Sequence, residues 1–153
     1  MASRAFAVAR QSVTPVVDES ILALTAGASE GAEVTQIGLG GEATAAAIQV
    51  FVLRRSTTLG ITPTAQTPER LHSSSPASAI GGATTWGTEP VNTVTPPASW
   101  TRSYNAFGGV ISWIAAPGHG IWILEAAAPD AEVSFEADSG TSPLSMQIVF
   151  EEI

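Results

Sequence analysis

The sequence predicts an all-β protein, a jelly-roll-like β-sandwich. Three observations lead there. Eight to ten short segments carry apolar or β-branched residues at a spacing of two, turn signals separate them every ten or so residues, and no stretch shows a convincing apolar stripe at helical spacing. An immunoglobulin-like sandwich is the alternative, without the cysteine pair that would support it. The 153 residues suit a single domain, 1–153, able to bury about 70% of the surface of the unfolded chain. No repeat of fixed period points to a solenoid or propeller.

Phe6, Val8 and Val13 mark a first strand ended by Pro15, and residues 1–16 read as an N-terminal arm or an edge strand. Ile21 to Leu24 comes after the polar Asp18-Glu19-Ser20 and closes at Gly27 to Gly31. Val34 to Leu39 sets Thr35, Ile37 and Leu39 at period two and breaks at Gly40-Gly41. Ala45 to Ser56 is largely apolar on both faces, as a central strand between layers requires, and ends in Arg54-Arg55. The alanines of Glu42 to Ala47 would allow a helix, but β-branched residues dominate from Ile48 onward.

Thr57 to Pro97 is rich in Thr, Ser, Pro and Gly. Its six prolines make it stiff, so it is expected to pack along the surface, supply short strands near Trp86 and Val94, or reach a neighbour. Trp100, Arg102 and Tyr104 alternate up to Gly108-Gly109. The stretch Gly109 to Ala126, two apolar runs around Pro117-Gly118-His119-Gly120, reads as a β-hairpin that holds the densest packing through Trp113 and Trp122. Val133 and Phe135 mark a strand after Pro129-Asp130, with Glu132 and Glu136 on a solvated face. Leu144 to Glu151 alternates most regularly, Leu144, Met146, Ile148 and Phe150 forming its dry face.

Cysteine is absent, which excludes disulfides, thiolate catalysis and cysteine-ligated zinc. The net charge is −8, charged residues make up 13% of the chain, and all the basic residues are arginine, so no basic face for nucleic acid is expected. Few charges beside 44% hydrophobic residues suggest a surface partly covered by partners. Arg4 and Arg10 interrupt the apolar N-terminus, so no signal peptide is expected, and no apolar run is long enough to span a bilayer.

No catalytic pattern emerges, and no cofactor or metal is expected. His72 and His119 lie in loop-like stretches, and there is no G-x-S-x-G elbow. Asp130, Glu132, Glu136 and Asp138 lack EF-hand spacing, and Gly38-Leu39-Gly40-Gly41 lacks the setting of a dinucleotide fingerprint. Neither is there a recognisable carboxylate pair for glycoside hydrolysis. The chain is therefore not expected to be an enzyme. The residues singled out for contacts between subunits or with partners are Phe6, Arg10, Arg54, Arg55, Trp86, Trp100, Trp113 and Trp122. A carbohydrate-binding module with exposed indoles is the reading from another class.

Val50 to Arg55, Thr64 to Ala79, Trp113 to Gly118 and Met146 to Glu152 together resemble small β-rich proteins encoded among the structural genes of tailed phages and prophages. The similarity runs from Val50 to the C-terminus, and its motifs are structural. It implies a capsid cement or decoration protein, a homotrimer made in the host cytoplasm, that binds the major capsid protein on the virion surface. A tail, baseplate or fibre component is the alternative within the same resemblance.

Overall fold

The computed structural model describes residues 4–72, 75–92, 100–123 and 132–153. Among them, the strands in chain order are β1 (Arg4–Val13), β2 (Ser20–Thr25), β3 (Ala32–Glu42), β4 (Ile48–Thr58), β5 (Ala65–Gln66), β6 (Glu69–Arg70), β7 (Gly81–Ala83), β8 (Val91–Asn92), β9 (Trp100–Asn105), β10 (Phe107–Ile114), β11 (Ile121–Ile123), β12 (Glu132–Ser139) and β13 (Leu144–Glu152). No helix occurs among these residues, so Glu42 to Ala47 is strand end and loop.

Two antiparallel sheets form a β-sandwich. Its long strands run β10-β3-β13-β1 in the first sheet and β2-β12-β4-β9 in the second. The first strand lies beside the last, and every long connection crosses between the sheets except the one from β4 to β9. This interleaving is that of a jelly roll. The exceptional connection contains the Pro/Ser/Thr-rich segment, whose described part packs along the sandwich as expected. Its β5, β6 and β7 close the side of the sandwich between β1 and β2, and β8 returns to pair with β4. Val94 lies outside the described residues.

Period-two alternation supplies the core. The first sheet turns inward Phe6, Val8, Ile37, Leu39, Leu144, Met146, Ile148 and Phe150, and the second turns inward Leu22, Leu24, Phe51, Leu53, Val133 and Phe135. Phe6 stacks on Phe150 at 5.7 Å between ring centroids. Phe51 stacks on Phe135 at 5.4 Å, with Trp100 tilted against Phe135 at 5.8 Å. Each fully buried side chain of this size contributes about 1.5–3 kcal/mol.

Of the two alternatives for the N-terminus, arm or edge strand, residues 4–13 take the second: β1 pairs with β13, and only two of its residues meet β6 on the other side. Two other expectations need correction. Gly40-Gly41 does not end β3, which continues to Glu42. The stretch from Gly109 is not a hairpin, because β10 and β11 both pair antiparallel with β3.

In β10, Ile114 lies opposite Gln36, and the Ala115 N–H donates to the Thr35 carbonyl at 2.8 Å. Pairing resumes with Ile121 opposite Val34, the very next residue of β3. Residues 116–120 are thus an outward excursion of one long edge strand. The His119 N–H closes onto the Ala116 carbonyl at 2.9 Å, and Gly118 adopts φ +73. The Gly120 N–H donates to Glu33 Oε1 at 2.6 Å, and a Cβ at Gly120 would collide with that same glutamate. Proline and glycine serve an insertion as well as a reversal, which is why the composition suggests a hairpin. The densest packing therefore lies at the phenylalanines rather than at Trp113 and Trp122.

Phe135→Ala should lower unfolding free energy by about 3–5 kcal/mol, whereas Trp122→Ala, at a side chain 38% exposed, should cost less than about 1.5 kcal/mol. Urea denaturation of the two variants measures both; a larger loss at Trp122 would mean the core lies elsewhere.

Candidate interaction surfaces and a buried acidic row

The positions singled out for contact fall into different environments. Phe6 and Trp100 are core residues, buried between the sheets where no partner reaches them. The Arg102 guanidinium carbon stands 5.7 Å from the Trp100 ring centroid and covers it from the solvent side. Arg10 turns inward. Its Nη1 donates to the carbonyls of Ile21 and Thr84, linking β1 of the first sheet to the margin of the second, and burial lowers its pKa. Trp86 is half-buried over Gly60, where even a Cβ would strike the indole. Trp113 is half-buried against the core, and Trp122 points outward from β11. The indoles thus line no common groove.

Arg54 and Arg55 lie within β4 rather than at its end, on opposite faces. Arg54 pairs with Glu136 at 3.1 Å and Asp138 at 2.9 Å. Arg55 is half-buried opposite Val133.

The acids of β12 overturn the expectation of a solvated face. Glu132 and Glu136 are each only 2% exposed, and Ser134 between them is fully buried. They occupy the outer side of the second sheet, opposite Ser56, Arg54 and Val52 of β4, and the segment ending in β8 approaches this side: Glu89 Oε2 accepts the Ser20 N–H at 3.2 Å. Glu132 accepts the Ser56 hydroxyl at 2.8 Å and the Thr25 hydroxyl at 3.0 Å. The row is therefore hydrogen-bonded as burial demands. Burial raises the Glu136 carboxyl to about 7 against the favourable pull of Arg54, with Asp18 and Glu89 adding repulsion. Burial also raises Glu89. The polar residues Arg54 and Ser56, which continue the face of Val50 and Val52 at a spacing of two, are the sequence signal for this row.

Glu152 lies outside the positions that the sequence singles out. It continues the inward parity of β13 beyond Phe150, and its carboxylate accepts the Ser78 hydroxyl and the backbone N–H groups of Ala79 and Ile80 while pairing with Arg4 at 2.8 Å. It ties the end of the first sheet to the segment entering β7.

The surface clefts are shallow. One of about 500 Å³ runs along the part of β1 not covered by β6, with Gln11, Gln66, Thr67, Glu69 and Gln147 at its walls. Another, about 200 Å³, lies around Arg10, Glu19 and Glu89. Neither contains His72 or His119, and His119 sits exposed at the tip of the 116–120 excursion. Among the described residues no group of three or more His, Asp or Glu is placed to hold a metal ion.

No protein-family model matches the chain, and no curated protein does. Among solved structures, the chain is similar to one from a massively expanded particle of equine rhinitis A virus, a picornavirus capsid, at 13% sequence identity and a TM-score of 0.24. The alignment covers 96% of this chain and 66% of the capsid chain. The chain thus spans just under two thirds of that protein's length, and a likeness of this extent assigns no function.

Glu136 predicts a pH dependence of stability. Its folded pKa lies above the ordinary 4.5, so the folded state holds a proton that the unfolded state releases between about pH 4.5 and 7. The contribution of Glu136 to stability is full below that window, falls as pH rises through it and levels off above about pH 7. The loss is on the order of 3 kcal/mol. Glu136→Gln should flatten this slope and be more stable than the wild type at pH 8, as read by urea denaturation at pH 5 and pH 8; an unchanged slope would place the proton elsewhere.

Proposed function

We propose that this protein is a non-enzymatic structural component of a virus particle, a capsid cement or decoration protein that bridges major capsid subunits. The observation that carries the reading is the distribution of exposed apolar side chains over separate parts of a weakly charged molecule. Ile61 and Val91 project from the connection between β4 and β9, Ile48 and Phe107 where the chain passes between sheets, and Val110 and Ile114 along β10. Single exposed apolar residues are ordinary, but several separate groups on one small domain suit a molecule held among neighbours.

The jelly roll supports the reading, because it is a recurrent architecture of shell-forming domains as well as of lectins. The phage-like segments also support it: they fall on β4, the inter-sheet closure, the β10 excursion and β13, all scaffold. Bound in this way, the protein would stabilise only the assembled shell, since its apolar contacts exist only across subunit junctions.

Mass spectrometry of purified particles from the replicon that encodes the chain tests this. The chain should be present in fixed ratio to the major capsid protein, and particles assembled without it should break at lower temperature. Its absence from particles would overturn the reading, and recovery only with isolated tails would move it to the tail.

A further inference from the structure

We infer that β10 is a self-pairing edge, through which two copies of this chain join by a two-fold antiparallel contact centred on Ser112. The inference stands on the geometry of this strand and does not depend on the capsid reading.

The register fixes which backbone groups are available. Ala115 donates to Thr35, so the hydrogen-bonded positions facing β3 are Ala115, Trp113 and Ile111. The intervening Val110, Ser112 and Ile114 direct their N–H and C=O groups to the opposite side, where no described strand pairs with them. Their side chains lie on the outer face of the first sheet, with Val110 79% and Ile114 66% exposed. Across β3, Val110 faces Gly40 and Ser112 faces Gly38, which have no side chains to shelter them.

Sheet edges in soluble proteins are normally blunted by charge, proline or a cover. From Phe107 to Ile114 there is neither a charge nor a proline. The pattern is also symmetric about its centre. If Ser112 pairs with Ser112 of a second copy, Val110 of each chain stands beside Ile114 of the other on the same face, so the exposed apolar residues cover one another. A two-fold contact requires this self-complementarity. Each copy carries −8, so two copies repel at long range, and this uncharged strand is a place where they can meet without bringing like charges into direct contact. Such pairing yields a dimer, whereas the phage resemblance implies a trimer.

The absence of cysteine makes a direct test possible. Paired Ser112 residues would have Cα atoms about 5.5 Å apart, within the range that a disulfide spans. Under mild oxidation Ser112→Cys should convert to a covalent dimer, while Thr101→Cys, on exposed β9, should not. The wild type should sediment as a dimer, and Val110→Lys or Ile114→Lys as a monomer with an unchanged circular dichroism spectrum. A monomeric or trimeric wild type, or cross-linking no greater at 112 than at 101, overturns the inference. Should the lysine variants fail to fold, the cysteine comparison and the wild-type mass decide it alone. These results concern the isolated protein, so they leave the particle test of the capsid reading independent.

Discussion

Two stacked phenylalanine pairs set the constraint on which the rest of this structure depends. Phe6 on Phe150 joins neighbouring strands at the inner face of the first sheet, and Phe51 on Phe135 does the same in the second. For both pairs to be buried, every strand that carries them must keep its alternate residues inward, and a slip of one position would turn the core face to solvent. The jelly-roll connections satisfy that condition by placing the first strand beside the last, so that the core is closed by residues from the two ends of the chain.

Polar groups then close the margins. Arg10 reaches carbonyls at the edge of the second sheet, and Glu152 captures the backbone that enters β7. Glu152 is buried and Arg10 half-buried, and both are compensated by hydrogen bonds rather than left as isolated ions. The buried row of Glu132, Ser134 and Glu136 is a different case, because it lies on the outer side of a sheet. The segment after β4 returns toward that side, β8 pairing with β4 at Ser56 and Thr58 and Glu89 accepting the Ser20 N–H. The long connection thus contributes to the fold while also presenting apolar side chains such as Ile61 and Val91 to the outside.

Much of the sandwich is legible from alternation alone. Leu144 to Phe150 faces inward as its pattern predicts, and Phe51, Leu53, Val133 and Phe135 do the same. Partner choice cannot be read locally. The Pro-Gly interruption at 117–120 has the composition of a reversal, yet β3 continues past it and recruits both flanking runs to one edge. Alternation likewise puts Glu132 and Glu136 on the correct face but cannot say that the face is covered. Among the positions singled out for contact, the bulky Phe6 and Trp100 go to the core. Val110 and Ile114, modest aliphatics two residues either side of Ser112, do not stand out in the sequence, because their exposure comes from an edge that only the topology reveals.

The claim that β10 and β11 form one open edge on β3 can be tested amide by amide. Hydrogen exchange measured by NMR at micromolar and millimolar protein should show Ile111, Trp113 and Ala115 protected at both concentrations. Val110, Ser112 and Ile114 should exchange fast when dilute and slow only when concentrated. Protection of those three amides at a concentration where the protein sediments as a monomer would mean that they already have a partner within the chain, as in a hairpin, and would contradict the account.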